Sequence, residues 1–357
     1  MTQLTRFQAA LKENGADAAL ISSELNIRYL CGFNYTDGYL LILRDAAYLL
    51  TDFRYIEAVR AAVTGFEIIM PNEPMLKKAA SLMKQHGAKT LIVEEQALSM
   101  AMHEKLIGIF DGVEIKAGAS DILLSNRKVK LAYELDLIDK AQQITDAAFD
   151  HILGYITPER TELDVALELE FFMRSHGAEA LAFETIAVSG KASSLPHGVP
   201  SSNKLSKGFL TMDFGAKYQG YCSDMTRTIV LGRADDDMKK IYNIVLSAQK
   251  ATLDALCEGM VCRDADKIAR DIIANAGYGK NFGHSLGHGV GMFIHELPRL
   301  AYSSPEDVKL CRGNVVTVEP GIYLEGKYGC RIEDMVAIDL DGSVRNFTKS
   351  PKELIEL

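Results

Sequence analysis

Two stretches of this chain constrain its fold and chemistry more than any other feature. The first, residues 209–230, reads FLTMDFGAKYQGYCSDMTRTIV. Apolar segments flank a polar, glycine-marked centre, which predicts two strands joined by a tight turn at Tyr218 and Gln219. Asp213 and Asp224 are equidistant from that turn, so a regular antiparallel hairpin sets them opposite each other, Cβ atoms roughly 4.5–5.5 Å apart. The second, residues 315–336, reads VVTVEPGIYLEGKYGCRIEDMV. A turn centred near Gly326 sets Glu319 opposite Glu333 in the same way, unless a bulge at Pro320 or Gly329 shifts the register by one. Facing carboxylates repel, and one of each pair keeps its proton unless a cation lies between them. A lone pair of this kind is usually surface acid. Two pairs, bounded by Val315, Val316 and Val318 and by Met335, Val336 and Ile338, point to a metal site.

Residues 282–299, FGHSLGHGVGMFIHELPR, offer an imidazole to complete it. His284, His288 and His295 fall there, out of eight histidines in all. The glycines at 283, 287, 289 and 291 would let the backbone pass close to an ion or substrate. Four carboxylates and one imidazole form a hard, oxygen-rich set that favours Mn²⁺ or Co²⁺ over a thiolate-selected zinc, with Zn²⁺ or Fe²⁺ compatible. Two of the carboxylates could bridge two ions, the arrangement used to activate water. Cys222 and Cys330 flank the acidic strands and read as small buried residues.

At 357 residues the chain exceeds one comfortable core, and two domains are expected, 1–124 and 125–357, divided at the charged segment SNRKVK (residues 125–130). A net charge of −9, without a basic stripe, excludes a nucleic-acid or anionic-membrane surface. No apolar run approaches the ~20 residues of a membrane span. Six scattered cysteines without CxxC spacing and an amphipathic start without a signal-peptide pattern suggest a reduced, cytoplasmic protein. Residues 18–21, 39–43, 47–51 and 90–94 read as strands; residues 4–12, 55–63 and 75–85 read as helices. Together they predict a small α/β domain with a mixed sheet. That domain either packs and dimerises or covers the cleft. Further on, helices are expected over 133–156, over 236–258 and 263–275, and from a Thr161–Asp164 capping box to Gly177; Phe171, Phe172 and Met173 are expected in the core. Residues 183–188 read as a strand leading to His197.

In that order, DFG…SD, HGVG, HELP, VEPGIY and RIED closely resemble the pita-bread metallopeptidases, and within them the Xaa-Pro dipeptidase (prolidase) and aminopeptidase P branch. The likeness is dense over residues 181–336. Over the first 120 residues, NIRYLCGF and LLTDFRYIEA resemble that branch's creatinase-like N-terminal domain. The resemblance implies an α+β fold: a pita-bread catalytic domain, a curved antiparallel sheet covered by helices, after a smaller α/β domain. It implies two metal ions per subunit, with Asp213 holding one, His288 and Glu319 the other, and Asp224 and Glu333 bridging. Glu319 would also be the general base. His284 and His295 would steady the oxyanion and the leaving nitrogen, His197 would line the substrate pocket, and Arg331 would orient the bridging carboxylate. Arg299 could meet a substrate C-terminal carboxylate. The implied reaction is hydrolysis of the bond before a C-terminal proline through a metal-bridging hydroxide, in a homodimer. The alternatives are an aminopeptidase P acting on longer Xaa-Pro peptides and an inactive pita-bread binding module.

Overall fold

Short apolar runs of the first third become the strands of a mixed six-stranded sheet. In chain order the elements are α1 (Gln3–Glu13), β1 (Ala18–Ile21), α2 (Glu24–Cys31), β2 (Gly38–Leu43), β3 (Ala47–Thr51) and α3 (Ile56–Ala62). There follow β4 (Glu67–Ile69), α4 (Met75–Gln85), β5 (Thr90–Val93), α5 (Met100–Ile109), β6 (Glu114–Ala117) and α6 (Ala119–Lys128). The strand order is β4-β3-β2-β1-β5-β6. β1–β2 and β2–β3 pair antiparallel, whereas β1–β5, β3–β4 and β5–β6 pair parallel. α2 is absent from the local sequence pattern for a physical reason. Its N-cap Ser23 makes no side-chain cap bond. The buried Glu94 carboxylate, just beyond β5, accepts from Ser22 N at 2.5 Å and Ser23 N at 2.9 Å instead.

This computed structural model describes residues 2–357, which form two compact units, one ending at Asn126 and the other running Arg127–Leu357. The charged segment expected to be a break is instead helical as far as Lys128, at the end of α6.

The second unit begins with α7 (Ala132–Tyr155), α8 (Glu162–Ser175), β7 (Ala180–Leu181), β8 (Ile186–Ser189), β9 (Gly208–Phe214) and β10 (Ala216–Tyr218). β11 (Tyr221–Cys222), β12 (Met225–Leu231), α9 (Asp236–Ala255) and α10 (Cys262–Asn275) continue it. It closes with β13 (Gly287–Gly289), β14 (Glu296–Leu300), β15 (Val315–Val318), β16 (Gly321–Leu324), β17 (Tyr328–Arg331), β18 (Asp334–Ile338) and β19 (Val344–Asn346). The capping box forms as expected: Thr161 Oγ1 accepts from Asp164 N at 3.0 Å, and the Asp164 carboxylate accepts from Thr161 N at 2.8 Å. Of the three consecutive residues expected in the core, Met173 is buried, Phe172 packs at its edge and Phe171 is 69% exposed. Successive helical residues point about 100° apart, so three in a row cannot all face inward.

The helix pair α9–α10 repeats α7–α8 at an offset of 100 residues: Cys262–Asn275 against Glu162–Ser175, with Thr161 and Val261 each bridged to a later segment. α7 and α8 pack on β8, β9 and β12. α9 and α10 pack on the half built from β14-β13-β15-β18-β19 and β16-β17. The two halves join where Thr228 Oγ1 donates to Arg331 O at 2.9 Å and Glu333 N donates to Thr226 O at 3.1 Å. The result is the antiparallel pita-bread architecture, with paired helices behind the strands.

The two acidic hairpins differ from each other in register. β15–β18 and β16–β17 both pair about Gly326, so Glu319 and Glu333 face each other across the gap between the ladders, as expected. In the first hairpin Lys217 pairs with Cys222, and Asp213 pairs with Thr226 rather than Asp224. The turn falls on Gln219 and Gly220, with φ of 46° and 93°, one residue later than expected. Two positive-φ residues at the centre suit the twist of an antiparallel pair, and glycine takes the second position without strain.

Candidate active site

All five residues that the resemblance puts on metal line one cavity of about 480 Å³, together with His197, His284, His295, Arg299 and Arg331. Asp213 lies near the end of β9 and Asp224 between β11 and β12. Glu319 and Glu333 occupy the breaks after β15 and before β18. Their backbones are pinned there, Glu319 N by Leu286 O at 2.8 Å and Glu333 N by Thr226 O at 3.1 Å. His288 sits at the centre of β13. Gly287 and Gly289 on either side have no room for a Cβ, which would lie 2.0 Å from Thr317 O and 2.2 Å from Leu297 O. These glycines therefore serve close strand packing rather than the expected approach to an ion or substrate.

Ligand atoms of Asp224, His288 and Glu333 lie within 4.8 Å of one another. His288 Nε2 is 3.5 Å from both Asp224 Oδ2 and Glu319 Oε1. The other ring nitrogen, Nδ1, faces the Gly289 carbonyl at 3.1 Å and must donate to it, so Nε2 presents its lone pair to the carboxylates. Burial holds the His288 pKa down to about 4, so the ring is neutral and ready to coordinate at neutral pH.

The donor set fits divalent cations. Burial, then the neighbouring carboxylates, push Asp224 and Glu333 well above the ordinary carboxylate range. Burial raises Glu319 to about 8 against the opposing effect of Arg331. Asp213 Oδ1 is buried without a hydrogen-bond partner, while its Oδ2 is held by Arg331 Nη2 at 2.7 Å. Carboxylates crowded to this degree without a matching cation are costly, and a dication is the usual remedy.

Three further residues organise the set, and the sequence reading assigned them no role. Thr226 Oγ1 donates to Glu333 Oε2 at 2.7 Å and accepts from Arg331 Nε at 2.9 Å. Thr317 Oγ1 accepts from His288 N at 3.1 Å and donates to Glu319 Oε1 at 3.2 Å. The Tyr323 hydroxyl accepts from Arg331 Nη1 at 2.7 Å and lies 3.0 Å from His284 Nε2. Because His284 Nδ1 faces the Ser285 carbonyl at 2.8 Å, Nε2 accepts from Tyr323, and both ring nitrogens are engaged within the protein. Burial and then Arg331 lower the His284 pKa to about 4. Tyr323 stands in the VEPGIY motif, four residues after Glu319, which was the available signal.

β14 has a strict two-residue alternation. Glu296 faces inward, where Lys130 Nζ (3.2 Å), Arg127 Nε (3.1 Å) and Phe293 N (3.1 Å) hold its carboxylate. Arg299 and the preceding His295 face the cavity instead. The His295 ring lies edge-on to His288 at 4.5 Å between centroids, and burial and then Arg299 lower its pKa. It makes no hydrogen bond among the described residues, so, like His197 on the same cavity, it has ring nitrogens free for a ligand.

The fold and this cavity define a two-domain metallopeptidase. Residues 136–339 match Metallopeptidase family M24, and residues 3–128 match the Creatinase/Prolidase N-terminal domain; the chain belongs to family M24. It is 39% identical over 347 residues to the Xaa-Pro dipeptidase of Pyrococcus horikoshii, covering 97% of this chain and 96% of that one. The solved structure of the Xaa-Pro dipeptidase from Bacillus anthracis superposes with a TM-score of 0.95 at 42% identity, over 99% of both chains. An X-Pro aminopeptidase structure from Thermotoga maritima superposes with a TM-score of 0.91 at 34% identity, over 96% of this chain and 98% of that one. No helix among the described residues is long and apolar enough to cross a membrane.

Proposed function

We propose that this metallopeptidase is a dinuclear-metal Xaa-Pro dipeptidase. The observation that carries the reading is one cavity in which four carboxylates and a neutral His288 face Arg299. Asp213, Asp224, Glu319, Glu333 and His288 would hold two divalent ions, Mn²⁺ or Co²⁺ by the hardness of the set. Such a centre, when loaded, supplies Lewis acidity and a water of lowered pKa. Proline nitrogen carries no hydrogen and its φ is locked, so a bond to it suits a site that reads ring shape rather than backbone N–H.

The chain's own groups divide the remaining work. Arg331 fixes Asp213 and, through Thr226, Glu333, so the carboxylates keep their places as charge changes. Glu319, ionised once cations balance the cavity, takes the proton from the attacking water. His295 donates to the developing oxyanion, with His284 acting through Tyr323 rather than on the substrate directly. Arg299 pairs with the substrate carboxylate, and His197 closes the pocket from its loop. His295→Ala should keep its metal and lose roughly 10²–10⁴ in turnover; wild-type rates would remove His295 from this scheme.

The deciding experiment is Mn²⁺-dependent hydrolysis of Ala-Pro beside Ala-Pro-Ala at equal concentration. Cleavage of the dipeptide alone supports the dipeptidase. Preference for the tripeptide supports the second reading, an aminopeptidase P, which the Thermotoga maritima neighbour favours. Failure on both, with stoichiometric metal bound, overturns the Xaa-Pro assignment.

A further inference from the structure

Between Ser189 and Ser201 the chain leaves β8, runs through a short 3₁₀ turn at Gly190–Ser194 and carries His197 to the cavity before returning. His197 is exposed and makes no hydrogen bond among the described residues, so its position is whatever the loop backbone gives it. Two contacts brace the loop against the opposite half of the unit. Gly329 N donates to Ser193 Oγ at 3.0 Å, and Arg331 Nη1 donates to Pro196 O at 3.3 Å.

The third anchor is at the neck. Glu162, the first residue of α8, is 4% exposed, and no cation pairs with it among the described residues. Its Oε1 accepts from Ser189 N at 2.7 Å and Ser189 Oγ at 3.0 Å. Its Oε2 accepts from Ser201 N at 3.2 Å and Ser201 Oγ at 2.7 Å. One carboxylate therefore grips both feet of the loop, one foot on each oxygen. A buried charge without a counter-ion persists only where hydrogen bonds replace its water, and four donors do so here.

We propose that Glu162 is a positioning residue for His197: by binding Ser189 and Ser201 it closes the neck of the loop and sets the imidazole at the cavity rim. Its kinetic consequence rests on the peptidase reading. An amide cannot imitate this carboxylate. In Glu162→Gln one terminal atom becomes an NH₂ facing a backbone N–H that has no way to turn into an acceptor, so one foot is released.

The test combines a kinetic cycle with a readout independent of turnover. On Ala-Pro with Mn²⁺, Glu162→Gln should lower kcat/KM on the order of 10- to 100-fold, as displaced groups do. In a His197→Ala background the same change should cost less than about twofold, because the group it positions is gone. Ser201→Ala, which loses one donor and keeps the fold, should follow the same pattern with a smaller loss. An equal cost in both backgrounds makes Glu162 merely structural and overturns the proposal, as does full activity of His197→Ala. Amide hydrogen exchange in Glu162→Gln should quicken over residues 190–200 while β9 and β12 stay protected. Unchanged exchange in the loop overturns the proposal whatever the protein cleaves. Wild-type inactivity on both peptides counts against the Xaa-Pro reading alone.

Discussion

The two acidic hairpins bring the same kind of side chain to one cavity by different routes. In the second, pairing runs through the break in a single register, with Val318 opposite Asp334 on one side and Gly321 opposite Arg331 on the other. Glu319 and Glu333 face each other as a result. In the first, Asp213 faces Thr226 and Asp224 stands outside the ladder, in the two-residue gap between β11 and β12. The contrast teaches that register is set at the turn and not by the spacing of the acids. Moving the turn centre from Tyr218–Gln219 to Gln219–Gly220 moves every cross-strand partner by two residues. The offset has a use: Thr226, standing opposite Asp213, reaches across to Glu333 at 2.7 Å and couples the hairpins.

Each part of this comparison can be broken in turn. The largest effect is expected from Glu319→Ala, which removes a proposed ligand and the proposed base together. Turnover of Ala-Pro should fall by about 10⁴-fold or more, with the circular dichroism and melting profile of a folded chain. Residual turnover within tenfold of wild type would mean that the second hairpin does not supply the base. Thr226→Val removes the hydroxyl that links the hairpins, at nearly constant volume. Mn²⁺ affinity, measured by calorimetry, should weaken roughly 10- to 100-fold. An unchanged affinity would show that the hairpins hold their carboxylates independently.

A third measurement compares the stripped and loaded proteins across pH. Burial raises Glu319 to about 8 in the metal-free site, and Asp224 and Glu333 shift the same way. A folded-state pKa above the unfolded value of about 4.5 means that the folded chain holds the extra proton between those limits. The site's contribution to stability is therefore present below about pH 4.5 and lost as pH rises through 8. Metal-free protein should melt at progressively lower temperature from pH 6.5 to 8, above the range in which the neutral His284 and His288 oppose the trend, and Mn²⁺ should reverse it while releasing protons to the buffer. A metal-free melting temperature that climbs over this range would contradict the crowding. The smallest effect concerns the turns themselves. Gly220→Ala and Gly326→Ala, at φ of 93° and 69°, should each cost about 1 kcal/mol by denaturant unfolding. If Gly220→Ala alone also weakens metal binding, the turn sets the first hairpin's geometry as argued.

The candidate site was legible because its acids and histidines stand in short, patterned segments. Asp213, Asp224, Glu319, Glu333 and His288 each stand out beside glycines or apolar flanks, and all five meet in one cavity. The strands and helices with strong local signals, such as Met75–Gln85 and the Thr161–Asp164 box, were legible for the same reason. The groups that orient the donors were not. Thr226 and Glu333 are 107 residues apart, and Glu162 and Ser201 are 39 apart; a threonine or glutamate shows no local sign of such a partner. α2 escaped likewise, because its cap arrives from Glu94. The helical repeat at an offset of 100 is carried by capping and closing geometry more than by residue identity, which hides it from a scan for similar letters.

Arg331 joins Asp213, Thr226, Tyr323 and the carbonyl of Pro196, and a guanidinium cannot shed its proton. It is a permanent positive pole that touches Asp213 alone among the four carboxylates, too little to neutralise all of them once ionised. A stripped cavity therefore keeps protons on its crowded acids, and Arg331 and Arg299 are the fixed charges that a ligand carboxylate meets there. Two dications would take the place of those protons and add positive charge beside Arg299 at the cavity wall, which favours a ligand with a free carboxylate. Loading would then strengthen dipeptide binding as it confers competence, so that the two rise together.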